Sequence, residues 1–251
     1  MSVVQYDNIT AQSPVMFISD LHLDPANTQT IDLAIKFFAT ASNARALFIV
    51  GDLFEYWLGD DAGDPRLQNI VDALSATTTA GCDVHLMHGN RDFLLGEQFA
   101  QTIGAQLHRE DHIKLTLNTM TISLMHGDTL CTDDIDYLKL RTMVRDPQWQ
   151  QQFLALSIDE RIAQAQALRD KSREAVAAKS TGIMDVNAQA VAKHCAEHSC
   201  NCLVHGHTHR PADHDTNSGT DTRRIVLGDW KTDHAMVARF DGAQLALEKI
   251  T

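Results

Sequence analysis

No run of residues in the chain approaches the ~20 consecutive apolar positions that span a bilayer. The opening stretch, MSVVQYDNITAQSP, has neither a basic start nor an apolar segment, so a secretory signal is not expected. Positive charge is not in excess: 21 Lys and Arg stand against 33 Asp and Glu, a net charge of −12 with neutral histidines. That excludes a nucleic-acid binder working through a general basic surface, because affinity for a phosphate backbone comes from clustered Lys and Arg. A small phosphorylated ligand in one local pocket stays compatible with it. Cysteine is scarce and odd in number, with five (Cys82, Cys131, Cys195, Cys200 and Cys202). Without an export signal the expectation is reduced thiols in a cytosolic protein. Internal repeats and low-complexity tracts are lacking too.

What is present is an ordinary 44% hydrophobic share over 251 residues, enough for one large domain or one domain with a modest insert. Short apolar, β-branched runs at Val15 to Ile18, Ala46 to Val50, Asp83 to Met87, Met120 to Met125 and Cys202 to Val204 predict buried strands. Helical patterns lie between several of them, at Thr30 to Thr40, Leu67 to Thr77 and Gly96 to Ile103. Near the C-terminus, Arg223 to Leu227, His234 to Phe240 and Gln244 to Ile250 read as consecutive strands, with Asp241-Gly242 as a type I′ hairpin turn. The class is α/β, with one mixed sheet or two packed sheets.

One segment breaks the alternation. From about Thr132 to Val186 the pattern is helical throughout, which divides the chain into a core (1–131), a helical insert or lid (132–186) and a second part of the core (187–251). Asp146-Pro147 supplies an N-cap and a proline at the first helical position. Ser157 and Glu160 have the spacing of a capping box. The insert carries Trp149, Phe153, Leu154, Leu156, Ile158 and Ile162 as apolar surface for a groove, or for packing onto the core. Its basic group, Arg169, Lys171, Arg173 and Lys179, suits sugar phosphate or anionic headgroups, or a solvated face.

Each buried run ends in a group able to hold a metal. VMFIS leads to Asp20-Leu21-His22, ALFIV to Gly51-Asp52, DVHLM to His88-Gly89-Asn90-Arg91-Asp92, TISLM to His126-Gly127-Asp128, and CLV to His205-Gly206-His207-Thr208-His209. If the strands run parallel, these groups collect at one edge, where open α/β sheets bind ligands. The set Asp20, His22, Asp52, Asn90, His126, His207 and His209 holds four imidazoles, two carboxylates and an amide. One ion rarely uses so many protein ligands; two ions sharing a bridging carboxylate would. Mixed imidazole and carboxylate donors suit Mn²⁺, Fe or Zn²⁺ better than Mg²⁺ or Ca²⁺. Singly, each motif is an ordinary turn; five in order at strand ends are a joint signal. A second grouping, His194, Cys195, His198, Cys200 and Cys202, lacks the spacing of a zinc module and reads as a further metal site or as core packing.

The ordered motifs D-x-H, G-D, G-N-R-D, H and G-H-x-H resemble the calcineurin-like metallophosphoesterase superfamily. The resemblance implies two packed mixed β-sheets flanked by helices and a dinuclear metal centre. By that likeness Asp20, His22 and His209 hold one ion, Asn90, His126 and His207 the other, and Asp52 bridges. His205 becomes a core or supporting group. Within the superfamily, GDLFEYWLGDD, HGNRDFLLG, MHGDTLCTDD and VHGHTHRP resemble the UDP-2,3-diacylglucosamine hydrolase family of Gram-negative bacteria. This implies pyrophosphate cleavage to UMP and 2,3-diacylglucosamine 1-phosphate in lipid A biosynthesis. It also implies attack at the uridylyl-side phosphorus, two Mn²⁺ ions, and residence at the cytoplasmic face of the inner membrane without a nucleic-acid or protein partner. Asn90 and Arg91 carry over as catalytic residues. Asn90, Arg91, Asp134, Ser172, Lys179 and His207 carry over as substrate contacts, while Val176 stands where relatives are polar. The alternative is another dinuclear phosphoesterase with a different nucleotide or phosphoprotein substrate.

Arg91 bears on the chemistry directly. Many relatives place His after the asparagine, where it can protonate an alkoxide. Arginine cannot, because its pKa exceeds ~12, but it can clamp phosphate oxygens. The leaving group should therefore need little protonation, as in pyrophosphate cleavage, since a phosphate monoester's second pKa is about 6. The other reading of Arg91 is an ion pair with its neighbour Asp92.

Overall fold

A computed structural model describes residues 2–177, 185–200, 202–214 and 222–251, with the main chain alone for 171–177. Two six-stranded sheets carry the fold. The first contains β2 (Val15–Ile18), β3 (Ala46–Val50), β4 (Asp83–Met87) and β5 (Gln106–His108) in parallel, with β11 (Ala235–Phe240) and β12 (Leu245–Ile250) antiparallel at its edge. The second runs β1 (Val3–Tyr6), β6 (His112–Leu117), β7 (Met120–Met125), β8 (Cys202–His205), β10 (Arg223–Val226) and β9 (Ala212–His214). Here β7, β8 and β10 are parallel to one another.

The strands read as unbroken apolar runs because both faces are covered. Phe17, Ala46, Phe48 and Val50 point between the sheets and meet Ile113, Leu115, Leu124, Val204 and Ile225 of the other. Met16, Ile18, Leu47 and Ile49 point outward. There they pack on α1 (Thr28–Ala41), α2 (Gln68–Thr79) and α3 (Glu97–Ile103). The far face of the second sheet is covered by α7 (Ala188–His198), whose Cys195 packs with Met125, Leu130, Cys200 and Leu203.

Several sequence expectations change. The ligand-bearing strands do not share one sheet: β2, β3 and β4 belong to the first, β7 and β8 to the second. Of the three C-terminal strands, β10 joins the second sheet and β11–β12 the first. The hairpin turn is not type I′, because Gly242 has positive φ and Asp241 does not. Asp241 instead accepts from the backbone N–H groups of Ala243 and Gln244. Strands β1, β5, β6 and β9 were not anticipated; two of them have only three residues, too short to show a period.

The insert forms α4 (Ile135–Val144), α5 (Pro147–Leu154) and α6 (Ile158–Ala177). Asp146 caps α5 by accepting from Gln148 and Trp149, and Ser157 and Glu160 form the reciprocal box at the start of α6. Arg161 ties the insert to the core. Its guanidinium, nearly closed off from solvent, pairs with Asp61 at 2.6 Å and donates to the carbonyls of Leu58 and Leu156. No described helix is long and apolar enough to cross a membrane.

Candidate metal centre

The chain turns sharply where each strand ends. Asp20, His22, Asp52, His207 and His209 all have positive φ, between 48° and 69°. That region is costly for residues with a side chain and recurs at functional sites, where surrounding structure holds it in place. The glycines beside them make room. A Cβ on Gly89 would lie 2.0 Å from Asp52 Oδ1, and one on Gly206 would lie 2.1 Å from Ser19 Oγ.

These turns bring all seven predicted groups together from two sheets. His22 Nε2 and His209 Nε2 are 3.0 Å apart, and His209 Nε2 is 3.7 Å from Asp20 Oδ1. On the other side Asn90 Oδ1 is 2.8 Å from His207 Nδ1 and 3.0 Å from His126 Nε2. Asp52 Oδ2 stands between the two groups, 3.7 Å from both His22 Nε2 and His126 Nε2. Two trios have ligand atoms within 4.8 Å of one another, Asp20–His22–His209 and Asp20–Asp52–His126.

Further contacts aim these donors. His126 Nδ1 donates to the Val50 carbonyl, which leaves Nε2 turned to the centre. Asp20 accepts the His207 N–H on both oxygens, and Asp52 Oδ1 accepts the Arg91 N–H at 2.8 Å. Burial, then the charge of Asp52, pushes the Asp20 carboxyl up to about 8. Burial, then His126, pulls the His207 imidazole down to about 4. The carboxylates are driven toward protonation, and burial keeps His126, His207 and His209 neutral. Only His22, against its burial and beside Glu55 and Asp52, is raised, so the set is short of positive charge. Cations at their centre would supply it, so the donor set fits a metal pair.

The remaining sequence candidates fall out differently. Arg91 does not pair with Asp92; its Nη1 lies 3.3 Å from Glu55 Oε1. Asp92 is fully buried and accepts from the backbone N–H groups of Gly89, Asp52 and Leu53, so it braces the loop under Asp52. His205 is buried in the core, as a supporting group. Asp134 caps α4 through the Tyr137 N–H and lines the cavity beside the centre. Ser172 and Val176 lie on α6, where only the main chain is described, and Lys179 lies outside the described residues.

A cavity of about 570 Å³ opens from the centre. The insert contributes Trp149 and Phe153, stacked at 5.0 Å, with Leu140, Val144 and Leu168. Leu154, Ile158 and Ile162 do not line it: they are 38%, 44% and 50% exposed, and the Leu154 side chain sits against Gly59 of the core. Leu156 packs into the main core instead. The core adds Tyr56, Trp57 and Phe93 to the lining, none of them assigned by sequence reasoning, and the Phe93 ring lies 6.3 Å from the Trp149 ring.

Sequence reasoning also missed three polar groups here. Glu55 reaches His22 at 3.2 Å as well as Arg91, and it pairs with Arg169. Arg145 donates to the Gly89 carbonyl at 2.8 Å with its guanidinium over Phe93. Tyr137 donates to Asp128. Burial opposes ionisation of Asp128, but His126 and Arg141 hold its carboxyl well below the usual range. All three lie on a loop or helix whose spacing carries no metal-type motif; only the pocket geometry reveals them.

Residues 13–211 match the calcineurin-like phosphoesterase family. The chain is 45% identical to the UDP-2,3-diacylglucosamine hydrolase of Chromohalobacter salexigens over 86% of its own length and 88% of the relative's. It is 40% identical to the same-named protein of Stenotrophomonas maltophilia, covering 94% and 98%. Among solved structures, GAP50, the anchor in the inner membrane complex of Plasmodium, aligns with a TM-score of 0.51 at 15% identity, covering 95% of this chain and 84% of that one. That likeness concerns the fold alone.

Proposed function

The chain belongs to the calcineurin-like phosphoesterase family, and from that premise we propose that it hydrolyses the pyrophosphate bond of UDP-2,3-diacylglucosamine to UMP and 2,3-diacylglucosamine 1-phosphate, a step of lipid A synthesis. The observation that carries this reading is the junction of two environments. Seven metal-type donors converge at the end of a cavity, five of them lining it and Asp20 and His126 buried just behind, and its other walls are largely aromatic and aliphatic. A pyrophosphate joined to two acyl chains needs both at once.

In this reading Asp20, His22 and His209 hold one divalent cation, Asn90, His126 and His207 the other, and Asp52 bridges. Two such ions, Mn²⁺ by preference, would polarise the phosphoryl oxygens and lower the pKa of a shared water. The residues do the rest. Arg91, on the cavity wall beside Asn90, neutralises the phosphoryl oxygens and leaves the departing phosphate unprotonated. Glu55 holds Arg91 and Arg169 on one side of the centre while touching His22. Trp149 and Phe153 receive acyl chain, and residues 132–186 act as a lid over it. The exposed Ile158 and Ile162 rest on the bilayer surface at the cytoplasmic face of the inner membrane.

The test is hydrolysis of UDP-2,3-diacylglucosamine in detergent micelles, with chelator followed by Mn²⁺ add-back, in ¹⁸O-water. Activity should vanish with chelator, return with Mn²⁺, and place the label in UMP. Label in the lipid phosphate would reverse the direction of attack. Equal turnover of a substrate lacking acyl chains would remove the lipid assignment.

A further inference from the structure

The outer face of the second sheet carries a histidine cluster that the proposed reaction does not use. His194 and His198 are four residues apart on α7 and share a helix face. His112 opens β6, opposite Met125 of β7. The helix lies across this face, where Met125 and Cys195 are in one apolar cluster. The three imidazoles meet at its rim. Ring centroids are 4.0 Å apart for His112–His198, 4.6 Å for His194–His198 and 5.0 Å for His112–His194.

Two observations separate this cluster from ordinary packing. His112 Nε2 is buried and has no hydrogen-bond partner among the described residues. A buried polar atom of that kind calls for an unseen partner. His194 Nε2 lies 2.8 Å from Ser123 Oγ. A hydroxyl that accepts from the Nε2–H fixes the tautomer and leaves the Nδ1 lone pair free to ligate, the usual outer support of a metal-bound histidine.

We propose that His112, His194 and His198 form a further site for a divalent transition-metal ion, zinc above all, which clips α7 to β6. Three imidazoles with a fourth position left to water is a common zinc arrangement. His112 and His194 meet edge to face, and the other two pairs are tilted by 45° and 51°. Their nitrogens are not within 4.8 Å of one another as a set, so coordination requires the rings to turn inward about χ1 and χ2. Burial, then the neighbouring imidazoles, draws the His194 ring down to about 4, and burial likewise lowers His112. Both rings are therefore neutral, the form that ligates, at ordinary pH. No sulfur is required: Cys195 and Cys200 face the apolar cluster instead.

The test is zinc content after equilibrium dialysis and a metal-free wash, for the full chain and for His112→Asn/His198→Asn. The full chain should keep one more equivalent of zinc than the variant, and both should hydrolyse substrate at the same rate. The same pair is compared in an Asp52→Ala background, which impairs the candidate metal centre; the difference of one equivalent should persist there. That comparison keeps this site independent of the proposed function. Equal zinc content in both members of either pair, or zinc that washes out of the full chain, overturns the proposal. Should the double variant unfold, His198→Asn alone, on the half-exposed end of the helix, carries the same comparison.

Discussion

Asp52 owes its position to a left-handed backbone, a glycine with no side chain beside it, and two backbone N–H groups. Gly89→Ala would drive a Cβ to 2.0 Å from Asp52 Oδ1 and 2.3 Å from its backbone N. Neither atom is the end of a flexible chain, so the loop must move. We expect the variant to lose bound metal and activity together while keeping its fold by circular dichroism. Arg91→Ala should behave oppositely. It touches Glu55 through its side chain, while its contact with Asp52 is made by the backbone, which the substitution spares. Turnover should fall about 10²- to 10³-fold, the usual effect of deleting one charged transition-state donor. Metal content measured by elemental analysis should not change; its loss would make Arg91 a structural residue. Motif order singled out Asp52 and Asn90, because each is a polar group closely following a buried strand, while Arg91 stood out against the resemblance, at a position where many relatives carry His. Glu55, Tyr137 and Arg145 were invisible in that pattern. Their roles come from the partners they meet across the fold, which no local spacing encodes.

The helices of the insert show how far local rules reach. Asp146, Pro147, Ser157 and Glu160 are caps whose effect is confined to one turn, and they stand where the sequence placed them. Asp146→Ala removes acceptors for two N–H groups and should cost about 1 kcal/mol, read as faster hydrogen exchange across α5. The orientation of the same helices was not legible. An apolar stripe says that a face will be covered, not by what. Trp149 and Phe153 turned toward the cavity, while Ile158 and Ile162 were left outside. The helix α7 was not read from the sequence as an element of the core; Asn187 starts it, accepting from the N–H groups of Gln189 and Ala190.

Across the whole molecule, stability depends on groups held in one protonation state between the layers. His85 on β4 is buried, stacked on Phe48 at 4.3 Å, and bonded to Tyr6 Oη at 2.6 Å and to His108 at 2.9 Å. Burial, then the neighbouring His108, lowers its imidazole to about 3. The unfolded chain, with an ordinary histidine near 6.5, takes up that proton first as pH falls. Stability from this group is therefore complete above about pH 6.5 and is lost progressively toward pH 3, by about 2 kcal/mol at pH 5. Urea unfolding of the wild type and His85→Gln at pH 7.5 and pH 5 should show a smaller loss in the variant. Parallel losses would mean that other groups dominate acid unfolding.

Local order along the chain was enough to specify the buried strands of the alternation, the caps of the insert, and which polar groups with their glycines follow each strand, because each depends on neighbours within a few residues. It was not enough to show that β2, β3 and β4 lie in one sheet and β7 and β8 in another, or that His112 meets His194 and His198 across α7 and β6. Those facts follow from how two doubly covered sheets bury their apolar faces against each other, and burial is a property of residues far apart in sequence.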